Sequence, residues 1–225
     1  NLIQRVNVGD MLTRAAWRAA DREALVDGDR RVTYRELNEL VNRLAHSLLV
    51  RGIGRGDPLL LIAGNSVEFV QAYFACAKIG AACVPINLLW SEREVAYVVD
   101  HCRPRLALVE PAFAPLVPET LETLVAPFEL AGDASEPECR VEDRDPVGFM
   151  YTSGTTSAPK GVVQSHLAVV LNAHSAALDQ QVAELAREYD DLPVSAPRDL
   201  PRAEGAPEVV RRALSALVDN ARRHA

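Results

Sequence analysis

Apolar residues recur along the chain with helical and strand periods in turn. From Asp10 to Ala20, Leu12, Ala15, Ala16 and Ala19 fall on one helical face. Thr33 and Glu36 form a capping-box pattern, and the helix they open carries Leu37, Leu40, Val41, Leu44 and Leu48 on one side before Arg51-Gly52 stops it. After a turn over residues 54–58, the run Leu59-Leu60-Leu61-Ile62-Ala63 is wholly apolar, as suits a strand buried on both faces. Asn65 with Glu68 signals the next helix start, and that helix continues through Phe69 and Ile79 to Gly80. Ala81 to Ile86 is a second strand, Ser91 with Glu94 caps a helix to about His101, and Arg105 to Val109 is a third strand. This alternation predicts an α/β fold, a mostly parallel sheet flanked by helices.

Residues 111–145 are rich in proline and acidic side chains, with a weak helical stretch near Leu121, and read as surface connection. Val147 to Tyr151 is a strand leading into an unusual segment. Beyond it, a helix is prolonged through Leu178 to Tyr189, and residues 190–207 carry four prolines, as an exposed linker would. Val209, Val210, Ala213, Leu214, Leu217 and Val218 then make an apolar stripe on a last helix whose polar face holds Arg211, Arg212, Arg222 and Arg223. The organisation expected is a partial N-terminal domain over 1–178, a helix end and proline-rich linker over 179–207, and an amphipathic helix over 208–225.

Composition narrows the class. With 48% hydrophobic and 24% charged residues among 225, wholesale disorder is excluded. The net charge of −7 runs against a nucleic-acid partner. No apolar run approaches the ~20 residues needed to cross a bilayer. The chain opens at Asn1 with no charged-then-apolar leader, and a processed or trimmed start is the expectation. Cys76, Cys83, Cys102 and Cys139 have no C-x-x-C spacing, suit no zinc site, and read as free thiols of a reducing cytoplasm. His101, His166 and His174 are scattered and read as surface or helix-end histidines, and Trp17 and Trp90 as packing residues. Asp190-Asp191 reads as a solvated run, so no metal ligands are assigned.

Lysine is scarce: Lys78 and Lys160 are the only two. The second ends the segment Y-T-S-G-T-T-S-A-P-K-G, residues 151–161. Thr152, Ser153, Thr155 and Thr156 surround Gly154, a composition that offers hydroxyl and backbone donors to one concave spot, where phosphate oxygens are the natural guest. Lys160 adds a point charge. The P-loop pattern G-x-x-x-x-G-K-[ST] does not fit, because Gly154 lies six residues before Lys160.

This segment resembles the phosphate-loop signature of the adenylate-forming (AMP-binding) superfamily, of the acyl-CoA synthetase or fatty-acid–CoA ligase type. Thr33-Tyr34-Arg35-Glu36-Leu37, Gly52-Ile53-Gly54-Arg55-Gly56-Asp57 and Val84-Pro85-Ile86-Asn87 resemble further family motifs in the same order, and Ser165-His166 and Asn172 fall where the family often has them. The resemblance runs from about Val8 to about Ala177, an N-terminal portion only. It implies ATP-dependent activation of a carboxylic acid to an acyl-adenylate, then transfer to a thiol, usually coenzyme A. It further implies that Thr152, Ser153, Gly154, Thr155, Thr156 and Lys160 hold the β- and γ-phosphates of Mg²⁺-ATP, with Lys160 also catalytic. Ser157 stands where the family usually has glycine; if φ > 0 is required there, serine costs about 1 kcal/mol.

In the family, most of the adenine and acyl pockets and a second lysine, which reaches the reacting carboxylate, belong to a later portion. No lysine follows Lys160 here. Leu200-Pro201-Arg202 with Gly205 faintly resembles the family's ending, but Ala206 occupies the lysine position. The expectation is a truncated, cytoplasmic acid–CoA ligase relative that by itself binds ATP at most. The alternative is a non-catalytic oligomerising or regulatory module derived from such a ligase, acting through its exposed sheet or its C-terminal helix.

Overall fold

A computed structural model describes residues 7–128, 130, 132–152 and 159–175. The chain divides into two units, Asn1–Val169 and Val170–Ala225; in the second, residues 170–175 are described and helical. The linker and C-terminal helix expected after residue 178 lie outside the described residues, as does Asp190-Asp191.

The first unit opens with α1 (Val8–Arg18), capped by Asn7, whose side chain accepts from the Asp10 amide. A two-stranded antiparallel ribbon follows, β1 (Glu23–Asp27) and β2 (Arg30–Thr33), turning on Gly28 at φ 58°. Helix α2 (Tyr34–Val50) starts at the expected capping box: Thr33 and Glu36 each satisfy the other's backbone amide. Then come β3 (Pro58–Ile62), α3 (Val67–Ile79), β4 (Ala82–Pro85), α4 (Glu92–Cys102) and β5 (Leu106–Val109). A short 3₁₀ turn at Pro111–Leu116 leads to β6 (Thr123–Val125), and β7 (Pro146–Thr152) and β8 (Lys160–Ser165) complete the unit before a helix over 166–175.

The main sheet has the order β6-β5-β3-β4-β7-β8, parallel throughout except for the antiparallel pair β7–β8. The chain steps from β3 to β4 on one side, then returns past β3 to β5 on the other. Right-handed crossovers in opposite directions put α3 and α4 on opposite faces. Residue parity records the result. Leu59, Leu61, Leu106 and Leu108 pack with α1, α2 and α3, while Leu60, Ile62, Ala107 and Val109 pack with Val95 and Val98 of α4. Both faces are covered, which is why β3 has no polar position. At roughly 1.5–3 kcal/mol per buried leucine, this double burial is the main stabilising contribution of the sheet.

Three local expectations need correction. Ser66, not Asn65, caps α3: its hydroxyl accepts from the Phe69 amide at 3.2 Å and donates to Glu110 at 2.6 Å. The stretch 111–145 is more than surface connection, since β6 extends the sheet and Ala126, Phe128 and Val141 are buried. Trp90 packs as expected, whereas Trp17 is 86% exposed. Trp17 lies five positions, about 140° of helical turn, beyond the buried Leu12 and so leaves the packed face.

Helix α4 ends on Arg103, a non-glycine residue in the left-handed region at φ 48°. Glycine adopts that conformation without the steric cost, roughly 1 kcal/mol, that a Cβ incurs. Arg103→Gly is expected to stabilise the protein slightly, raising the thermal unfolding midpoint by about 2 °C; an unchanged or lower midpoint would count against strain at this cap.

Candidate nucleotide site

Strand β7 enters the sheet beside β4, with Gly148 opposite Cys83. A Cβ on Gly148 would lie 3.0 Å from the Cys83 carbonyl oxygen, so the close approach of these strands favours glycine. Because β7 runs parallel to β4, it leaves the ladder in the direction of the carboxyl ends of the parallel strands. Ligands of open α/β sheets bind there, where successive connections diverge to opposite sides. β7 ends on Thr152 and β8 begins on Lys160; the two are register partners and both are exposed.

The hairpin thus brings together the first and last members of the predicted phosphate-binding set. Ser153, Gly154, Thr155 and Thr156 lie outside the described residues, as does Ser157. Among the described residues no carboxylate pairs with the Lys160 ammonium. Lys78 is the opposite case. Its Nζ is buried and donates to Asn38 Oδ1, Asn42 Oδ1 and Glu136 Oε2 at 2.7, 2.7 and 2.6 Å. Of the two lysines, only Lys160 is exposed to meet a soluble anion. A hydroxyl and an ammonium on one exposed rung are a donor set that fits phosphate oxygens. Among the described residues no group of three His, Cys, Asp or Glu side chains could hold a metal ion.

Behind the rung, the Tyr151 ring crosses β8 over its register partner Gly161, where a Cβ would sit 3.1 Å from the ring carbon Cζ. The glycine of the Pro-Lys-Gly sequence therefore has a packing reason in this chain. At the far end of β8, His166 begins the 166–175 helix, a helix-end position as expected, but it is not at the surface. Its side chain is fully buried, with Nδ1 accepting from the Val8 amide at 3.1 Å. Burial lowers its pKa to about 4, although the Asp145 and Asp10 charges pull the other way. His101 and His174 are exposed, as expected. The burial of His166 left no local signal: it sits in a polar Gln-Ser-His sequence and is covered by a residue 158 positions away.

The fold is an α/β sheet of the adenylate-forming kind, and the comparisons agree. The AMP-binding enzyme family matches residues 12–197, and the chain belongs to that family. It is 35% identical over 187 residues to the long-chain-fatty-acid–CoA ligase FadD13 of Mycobacterium tuberculosis, covering 76% of this chain and 36% of that protein. It is 33% identical to a long-chain-fatty-acid–CoA ligase of Thermus thermophilus, covering 78% of this chain and 36% of the relative. Among solved structures, the N-terminal domain of FACL13 from M. tuberculosis superposes with a TM-score of 0.68 at 31% identity, over 79% of this chain and 47% of that one. The anthranilate–CoA ligase AuaEII, solved with anthranoyl-AMP, gives 0.65 at 28% identity, over 71% and 35%. The chain is thus related to the N-terminal domain of acid–CoA ligases and spans about a third of the length of these curated relatives.

Proposed function

We propose that this chain is the nucleotide-phosphate-binding portion of an AMP-forming acid–CoA ligase, acting in the cytoplasm. Thr152 and Lys160, with Ser153, Gly154, Thr155 and Thr156 between them, hold the β- and γ-phosphates of ATP. The supporting observation is the exposed Thr152–Lys160 rung at the end of the parallel sheet, with no carboxylate on Lys160 among the described residues. Lys160 serves as the fixed cation toward which negative charge develops as pyrophosphate leaves. Magnesium, when bound with the nucleotide, spreads that charge further.

The carboxylic acid and the thiol acceptor, coenzyme A, belong to the whole reaction. Lys78 is locked in the interior, and no lysine follows Lys160. Residues 1–225 therefore do not supply the second lysine that the family brings to the reacting carboxylate, and alone they bind Mg²⁺-ATP without ordinary turnover. Calorimetric titration of Mg²⁺-ATP into the chain and into Lys160→Ala tests the reading. The expected result is micromolar-to-millimolar binding, weakened about tenfold or more in the variant. Equal affinity in the two proteins, or no binding to a folded wild type, would refute it.

A further inference from the structure

The residue preceding Thr152 is tied to a different element. Tyr151 Oη lies 2.6 Å from His101 Nδ1 on the last turn of α4. The two rings meet edge-on at 5.7 Å, and Tyr97, one turn earlier, stacks on His101 at 5.9 Å and 15°. Cys102 also interacts with the Tyr151 hydroxyl. Burial raises the Tyr151 pKa, so the phenol stays protonated. The phenol and His101 Nδ1 share one hydrogen bond, whose direction follows the imidazole tautomer. Beneath the ring, Gly161 leaves the space that lets Tyr151 lie across β8.

These contacts surround the rung next to Thr152–Lys160. α4 is anchored in the sheet by Val95 and Val98, both fully buried, so it offers a rigid base. One hydrogen bond ties Tyr151 Oη to His101 Nδ1, and Cys102 of the same helix end meets the same hydroxyl. They act on the rung by holding it.

We propose that His101 and Tyr151 are positioning residues for nucleotide binding, their mutual hydrogen bond fixing the Thr152–Lys160 rung against α4. The inference rests on the reading that this rung binds phosphate. A packing role alone needs only the ring, which Tyr151→Phe keeps. A positioning role needs the hydroxyl and a hydrogen-bonding partner on α4.

The test uses the whole chain and Mg²⁺-ATP. Tyr151→Phe and His101→Ala are each expected to bind about 5- to 10-fold more weakly than wild type, the loss of one well-made hydrogen bond. The double variant should bind no more weakly than either single one, since both remove the same bond. His101→Asn, which restores a hydrogen-bonding partner, should recover most of the affinity. Amide hydrogen exchange supplies a readout independent of nucleotide: Tyr151→Phe should lose protection in the β7–β8 ladder while β3 and β5 keep theirs. Wild-type affinity in both single variants, or unchanged β7–β8 protection, overturns the inference. Wild-type protein that binds no Mg²⁺-ATP refutes the functional reading instead, and the exchange result then decides the brace on its own.

Discussion

Lys78→Met is expected to lower the unfolding free energy by about 3 kcal/mol, measured by chemical denaturation. The ammonium stands in a nearly closed cage. Asn42 is 1% exposed, and its Oδ1 and that of Asn38 both accept from Nζ, while Glu136 closes the cage and takes further bonds from both asparagine amides. Thr13 on α1 donates to the other carboxylate oxygen at 3.0 Å. Methionine keeps the stem, which matters because Gly9 of α1 approaches Lys78 so closely that a Cβ there would meet Cγ at 2.9 Å. It removes the donor and strands two amide oxygens and a carboxylate. Glu136 is partly exposed and can recruit water, which keeps the cost toward the low end of the range for broken buried pairs. Glu136→Gln should cost less, and the double variant less than the two singles added together, since they break one network. Additive losses would show that the cage is not a unit.

The second large effect is a loss of stability on mild acidification through His166. Its folded pKa is about 4 against 6.5 for the free side chain, because burial outweighs the Asp145 and Asp10 charges. Between those values the unfolded chain binds a proton that the folded one refuses. Stability therefore falls as pH drops from 6.5 toward 4, by up to about 3 kcal/mol. Protonation would also put a hydrogen on Nδ1, where the Val8 amide already donates. With Nδ1 accepting, the neutral ring carries its hydrogen on Nε2, which has no partner among the described residues. Other groups add to the acid loss. Glu136, raised by burial but lowered further by Asn38 and Lys78, and Asp145, raised by burial but lowered further by Arg55, both sit below their ordinary values. The contribution of His166 is the difference in pH slope between wild type and His166→Gln; parallel profiles would refute it.

Where local chemistry decides structure, the amino-acid sequence was sufficient. The Thr33–Glu36 box starts its helix with both reciprocal bonds, and at Ser91–Glu94 the Ser91 amide and hydroxyl both donate to the Glu94 carboxylate, all within four residues. Leu59 to Ile62 announce a strand covered on both faces because no polar residue interrupts them. The ribbon β1–β2 carries a hairpin signal in Asp27-Gly28 between Leu25-Val26 and Val32, but its strands are short and crowded with charge, which hides their period. β6 has three residues and draws its ladder from β5, so little in its own sequence marks it. The candidacy of Thr152 and Lys160 was legible from composition and order. Their pairing across β7 and β8 was not, and neither was the brace from His101, because it depends on where a separate helix ends. Lys78 and His166 show the same limit: their partners are 36 to 158 positions distant, and periodicity carries no information at that range.

The bond between the Val8 amide and His166 also orders events in time. It closes a loop of 158 positions, and the first strand contact of β7, Gly148 with Cys83, closes one of 65. Contacts this distant form only after the intervening chain exists and its closure entropy has been met. On a ribosome, β3, α3 and β4 can associate while the rest is still being made. The β7–β8 hairpin gains this anchor, at the end of β8 away from Lys160, only after His166 has emerged, so the hairpin is fixed later than β3, α3 and β4.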